Sequence, residues 1–259
     1  MLKNLLYALF YFAILFILYH LTARFILAKY AVNQVRRGKK IQYLLVFPLS
    51  FIFGSHRQIH ILKKLPENLD CPISKNEIKF ILREVYKKYP LSIIGIERIF
   101  IMERPPYLNE CVRGSYRPTG FLKGEICLFG FSYENGIYYH GFGESTFWAD
   151  EQITKYAVIN TLLHELGHHL RYVTLGDLHG QEVEKYCDDF ATALALEFNL
   201  TPGILEEERL VEEYTLNQLR NELSDAKKKF EDAIKKHEDT KIEYIRLKRL
   251  LQEKKEKRK

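Results

Sequence analysis

Two histidines four residues apart, His164 and His168, sit inside an apolar periodicity that runs Ile153, Tyr156, Leu162, Leu163, Leu166, Leu170. That spacing follows the turn of an α-helix, so a long helix is expected to begin near Asp150 and to carry both rings on one face. Two imidazoles so placed can reach one metal ion. Glu165 stands beside them in His164-Glu165-Leu166-Gly167-His168, where it can take a proton from water activated by that metal. Two ligands do not close a site. Whatever follows His168 has to turn and come back.

The returning segment is expected at about 181–198, a second helix after a Gly-containing loop. In it Glu184 and Asp188 are four apart and share a face. The sixteen residues from His168 to Glu184 suffice to end one helix, turn and run back antiparallel. Glu184 is then the expected third ligand, and Asp188 the acceptor that fixes the tautomer of a ligand histidine. Glu182 lies on a different helical face, His179 is in the loop, and Asp189 breaks the four-residue spacing. The plain alternative is two solvated acids on a helix surface.

Around these helices, residues 56–200 read as a mixed α+β domain. Ser74-Lys75-Asn76-Glu77 is a capping box opening a helix with Ile78, Ile81, Leu82 and Val85 on one face, and Pro90 stops it. Ile96 to Met102, Phe121 to Phe131 and Ile137 to Phe142 read as strands, the last two joined through Asn135-Gly136, a hairpin turn signal. A strand near the helix, taken as Glu125 to Phe131, is expected to pair with an extended substrate. Candidates for stabilising an oxyanion are Tyr172, Tyr186, His169, His179 and tyrosines upstream. His169 points about 100° away from His168 on the helix, which makes packing its default role.

The flanks differ in composition. Asn4 to Ala23 is twenty residues without a charge, enough helix for about 30 Å of hydrocarbon, and predicts a transmembrane anchor in a block 1–40. A cleaved signal peptide is the rival, but Thr22-Ala23-Arg24-Phe25 is a poor cleavage site. Arg24, Lys29, Arg36, Arg37, Lys39 and Lys40 follow the run, so a single-pass membrane protein with its C-terminal side in the cytoplasm is expected. The second apolar run, in 41–55, contains Pro48 and is short for a span, which leaves a membrane-interface, re-entrant or buried segment. From Thr201-Pro202, read as a helix cap and first turn, the block 201–259 is mostly charged. It hides a seam at Leu216, Leu219, Leu223, Ala226, Phe230, Ala233, His237, Thr240, Tyr244, Leu247 and Leu251. Alternating steps of three and four over 216–251 predict a coiled coil that forms a homodimer or recruits a partner protein, the alternative being a solvated single helix.

Composition excludes little else. Of 259 residues 47% are hydrophobic, which rules out wholesale disorder. Cys71, Cys111, Cys127 and Cys187 are far apart, giving no zinc ribbon and no redox pair, though two bridges stay open. A net charge of +6 with no helix-turn-helix signal argues against a nucleic-acid partner.

His164-Glu165-Leu166-Gly167-His168 followed by Glu184-Lys185-Tyr186-Cys187-Asp188-Asp189-Phe190-Ala191 resembles the gluzincin-type zinc metallopeptidases. The resemblance covers about 75–200, and only the two helices carry specific residues. It is closest to the ImmA/IrrE-type minimal domains, with the HtpX and CAAX prenyl protease type second, since those are multi-span and nothing membrane-like follows Gly54. Cys187 replaces the usual alanine, and Tyr186 the usual second acid. The resemblance implies a zincin-like α+β fold with a small antiparallel or mixed sheet and Zn2+ held by His164, His168 and Glu184. It also implies Glu165 as general base and a protein or peptide substrate. Together with the flanks, the expectation is a membrane-anchored zinc metalloendopeptidase. The alternative is a membrane-tethered coiled-coil scaffold whose zinc site is structural or inactive, which the retained Glu165 argues against.

Overall fold

A computed structural model describes residues 7, 10–12, 14–16, 18–19, 22, 50, 53–109, 111–120, 122–142, 145–176 and 179–256. The chain forms two units, Met1–Val211 and Glu212–Lys259. The first is α+β, with two four-stranded sheets.

Strands β1 (His60–Lys64) and β2 (Leu69–Asp70) come first, then helix α1 (Lys75–Lys88), strand β3 (Ile96–Met102), strand β4 (Gly114–Gly120) and strand β5 (Lys123–Phe129). Strands β6 (Phe131–Glu134), β7 (Ile137–Phe142) and β8 (Ser145–Ala149) follow, then helices α2 (Glu151–Leu175) and α3 (Gln181–Glu197). One sheet has the order β1-β3-β5-β4, with β1, β3 and β5 parallel and β4 antiparallel at the edge. The other, β2-β6-β7-β8, is antiparallel throughout.

Local rules account for the helices. Ser74 Oγ accepts from the Glu77 amide while the Glu77 carboxylate accepts from the Ser74 amide, so both ends of the expected capping box are made. Ile78, Ile81, Leu82 and Val85 are all buried, as their spacing predicts. Asp150 caps α2 by accepting from the Ile153 amide at 2.8 Å, and Gly176 ends it in the left-handed conformation. In the mixed sheet Ile99 pairs with Ile126 and Ile101 with Leu128, and all four are buried. They join the core with Leu162, Leu163 and Leu166 of α2, each such side chain worth about 1.5–3 kcal/mol of burial. Helix α2 lies against β4, β5 and α3.

Two expectations change, and one beside them holds. Phe121–Phe131 is not one strand. It divides at Gly130, where the chain leaves one sheet for the other and a β-carbon would meet Leu65 Cδ2 at 2.6 Å. The Asn135-Gly136 hairpin forms, between β6 and β7, with both residues at positive φ. The fourth helix, α4 (Ile204–Glu256), begins past Thr201-Pro202 because the Thr201 hydroxyl is engaged elsewhere: it donates to Asn160 Oδ1 at 2.6 Å and accepts from the Gly203 amide.

The membrane-spanning part of the expected architecture is corrected. Among the described residues, no helix is long and apolar enough to cross a membrane. A span needs about twenty successive apolar helical residues. The remainder of 1–40, and most of the 41–55 run, lies outside the described residues. Cys71, Cys111, Cys127 and Cys187 are free thiols.

Candidate metal centre

Helices α2 and α3 pack side by side closely enough to bring the expected ligands together. Gly167 makes that approach feasible: a β-carbon there would stand 3.1 Å from Cys187 Cα and 3.2 Å from its Sγ. The same contact explains why position 187 needs a small side chain.

At this crossing three donor atoms converge. His164 Nε2 lies 3.1 Å from His168 Nε2 and 3.2 Å from Glu184 Oε2, and the third edge, His168 Nε2 to Glu184 Oε2, is 3.6 Å. A tetrahedral centre with bonds of about 2.0–2.1 Å spaces its ligand atoms roughly 3.3–3.4 Å apart. The triangle therefore has the size such an ion requires. On the far side of its ring, His164 Nδ1 is 2.8 Å from Asp188 Oδ1. A carboxylate only accepts, so His164 carries its proton on Nδ1 and presents a bare Nε2 lone pair inward. Asp188 thus occupies the expected orienting position.

Cys187 offers a competing donor. Its Sγ and the two histidine nitrogens lie within 4.8 Å of one another, a looser set than the triangle with Glu184. Burial first, then the carboxylates of Glu184, Glu165 and Asp188, push its thiol well above the ordinary range.

Glu165 is buried beside this cluster. Burial first and the Glu184 charge second raise its carboxyl to about 8, against the opposing pull of a hydrogen bond from the Tyr116 amide. Tyr116 lies on β4, whose opposite edge pairs with β5. This edge faces α2, and Gly114 allows the contact, since a β-carbon there would meet Thr161 Cγ2 at 2.5 Å and Glu165 Oε1 at 3.1 Å. Strand β5, expected to take the substrate, is paired on both sides by β3 and β4 and has no edge to offer. β4 is the edge strand of this sheet on the α2 side. Its polar sequence Gly-Ser-Tyr-Arg-Pro-Thr-Gly lacks the alternation that marks a half-buried strand, which is why sequence reasoning passes over it.

Residues 114–118 form one wall of a cleft of about 920 Å³ that also holds His164, Glu165, His168, Glu184 and Asp188. The first turn of α4 closes another side with Ile204 and Glu207. Glu207, buried, accepts from Arg113 Nη1 at 2.7 Å and from Asn160 Nδ2 at 3.2 Å. Asn160 is one turn ahead of His164 on α2, so this bonding ties three segments of the cleft wall together. No local signal in the sequence marks Glu207, because its partners are 94 and 47 residues away.

Among the oxyanion candidates, two are committed elsewhere. His169 is buried, donating from Nε2 to the Ile94 carbonyl and accepting at Nδ1 from the Tyr116 hydroxyl at 3.0 Å. Tyr172 donates to the Gly120 carbonyl. Tyr186 stacks with Phe190 under the Arg171 guanidinium. His179 lines the cleft. No family model, curated protein or solved structure matches this chain.

Proposed function

We propose that this chain is a zinc-dependent metalloendopeptidase of the gluzincin type. What carries the reading is the triangle of His164 Nε2, His168 Nε2 and Glu184 Oε2, with edges of 3.1, 3.2 and 3.6 Å, beside a buried carboxyl on the same helix. His164, His168 and Glu184 hold the ion and Asp188 orients His164. Bound zinc supplies Lewis acidity toward a carbonyl oxygen and toward water. Glu165 takes a proton at its carboxylate and returns it to the leaving amine. A carboxyl raised to about 8 is a base matched to that exchange near neutral pH. An extended peptide lies in the cleft walled by residues 114–118.

The test uses the full chain. One zinc per chain by elemental analysis, lost in Glu184→Ala and kept in Cys187→Ser, is the expected result. Loss in Cys187→Ser with retention in Glu184→Ala reassigns the third ligand to the thiol. Chelator-sensitive cleavage of unfolded casein, absent in Glu165→Gln with zinc retained, completes the assignment. Stoichiometric zinc without cleavage of any unfolded protein would leave a structural site and sink the peptidase reading.

A further inference from the structure

Beyond Val211, α4 presents an apolar seam to solvent. Leu216, Leu219, Leu223, Phe230, Tyr244 and Leu247 are exposed large apolar side chains, and Phe230 is 66% exposed. They recur at steps of three and four, with Ala226, Ala233, His237 and Thr240 filling the positions between. In heptad terms Leu216, Leu223, Phe230, His237 and Tyr244 are a positions, and Leu219, Ala226, Ala233, Thr240 and Leu247 are d positions. Ile234 flanks the seam at an e position, while Ile242 and Ile245 lie off it as scattered exposed residues of the ordinary kind. A stripe of this length along one side of a helix marks an interaction surface.

We propose that this seam is covered by a second copy of the chain, in a parallel, in-register two-stranded coiled coil. The flanking charges select the partner and its direction. In a parallel pair each g residue faces the e residue five positions on in the other copy. Glu222 then meets Lys227 of the other helix and Glu243 meets Lys248, both attractive, against one like-charge pair, Lys236 with Lys241. In an antiparallel pair g faces g and e faces e. Full overlap then sets Glu222 against Glu243, Lys229 against Lys236 and Arg220 against Lys241, all repulsive. The self-pairing is complementary in one direction alone. Register follows from the polar layers. His237 at a and Thr240 at d are adjacent, and only in-register pairing sets each against its own kind, whereas a one-heptad slip drives His237 against Phe230 or Tyr244.

Cross-linking of the full chain tests orientation and register together. Leu219→Cys at d and Tyr244→Cys at a, which would face each other in the antiparallel alignment, are oxidised separately and then as a mixture, one carrying a size tag. Lys235→Cys, on the opposite side of the helix, and the unaltered chain give the background from the native cysteines. Each of these two variants is expected to link to its own kind at least tenfold above that background, with no mixed 219–244 product. A mixed product as the main species means an antiparallel pair and overturns the proposal. Background levels at both positions overturn it too, leaving the seam to a different protein. Sedimentation adds a second arm. The chain is expected at twice its 30.7 kDa at micromolar concentration, and Phe230→Glu weakens association by about 100-fold, the roughly 2.7 kcal/mol that a charge on an apolar layer forfeits. Because Phe230 is exposed in the single chain, that variant keeps its helical circular dichroism. A monomeric wild type at 10 μM rejects the pairing.

Discussion

Helix α2 and the part of α4 from Leu219 onward are both long and regular, yet they are stabilised by opposite means. On α2, residues 157–160 and 162–163 are buried as a block, and so are 165–170. From Leu219 to Arg249 every residue of α4 is exposed. The first helix includes Gly167 and β-branched residues such as Val158, Ile159 and Thr161, which lower intrinsic helicity, so tertiary packing holds it. The second is rich in Lys and Glu and holds by propensity, assisted by exposed pairs such as Arg246 with Glu243. A helix covered on all sides can carry polar groups only where each finds a partner, and Asn160, His169 and Thr174 all do. That is the setting in which a carboxyl such as Glu165 acquires an unusual proton affinity. An open helix has no such setting.

The contrast predicts where substitutions are felt. The largest effect belongs to Glu165→Gln, expected to lower hydrolysis of an unfolded protein by about 10²–10⁴-fold with zinc content unchanged, measured as initial rates against metal analysis. Next, Leu162→Ala on α2 is expected to cost about 2–5 kcal/mol of folding stability. Leu223→Ala on α4, measured at a concentration too low for association, should change it by less than about 0.5 kcal/mol. Urea titrations of the two variants that came out alike would break the distinction.

Acid supplies a finer probe of the buried unit. His140 is buried, with Nε2 at 3.0 Å from Thr154 Oγ1, and desolvation lowers its pKa to about 3. The unfolded chain, with an ordinary histidine near 6.5, therefore binds a proton that the folded chain refuses. Stability contributed by the neutral ring is complete above 6.5 and falls as pH drops from 6.5 toward 3, by about 2 kcal/mol at pH 5. Comparing urea midpoints at pH 7.5 and 5.0, His140→Gln is expected to show a loss smaller by about that amount than the parent. An equal loss in both would place the titration elsewhere. The smallest effect is at a helix end: Ser74→Ala, which removes one arm of the α1 capping box, should cost about 1 kcal/mol, read as a shift in thermal midpoint.

Much of the candidate site is legible in the amino-acid order, and the reasons are local. His164, Glu165 and His168 follow from one helical turn, and Glu184 with Asp188 from another. The single non-local step, the antiparallel return between the two helices, is limited by a short loop. The structure adds what makes the return close, Gly167 against Cys187, and it places β4, not β5, at the sheet edge. Strand order is a property of pairing between distant segments, and β5, the more apolar strand, is apolar because it is interior. The same apolarity that makes a strand conspicuous in a sequence removes it from the edge.

What the chain carries in its sequence alone is therefore the set of short-range geometries. These are the caps at Ser74 and Asp150, the Asn135-Gly136 hairpin, the candidate-ligand spacings on two helices and the heptad seam of α4. Each depends on residues within one or two turns of one another, where covalent geometry does the positioning. Tertiary structure decided the rest. It placed the β4 edge beside Glu165, pushed that carboxyl to about 8 through burial and the nearby Glu184 charge, and joined Arg113, Asn160 and Glu207 across three segments. Those outcomes depend on desolvation and on contacts between residues tens of positions apart, and both come into being only when the core closes.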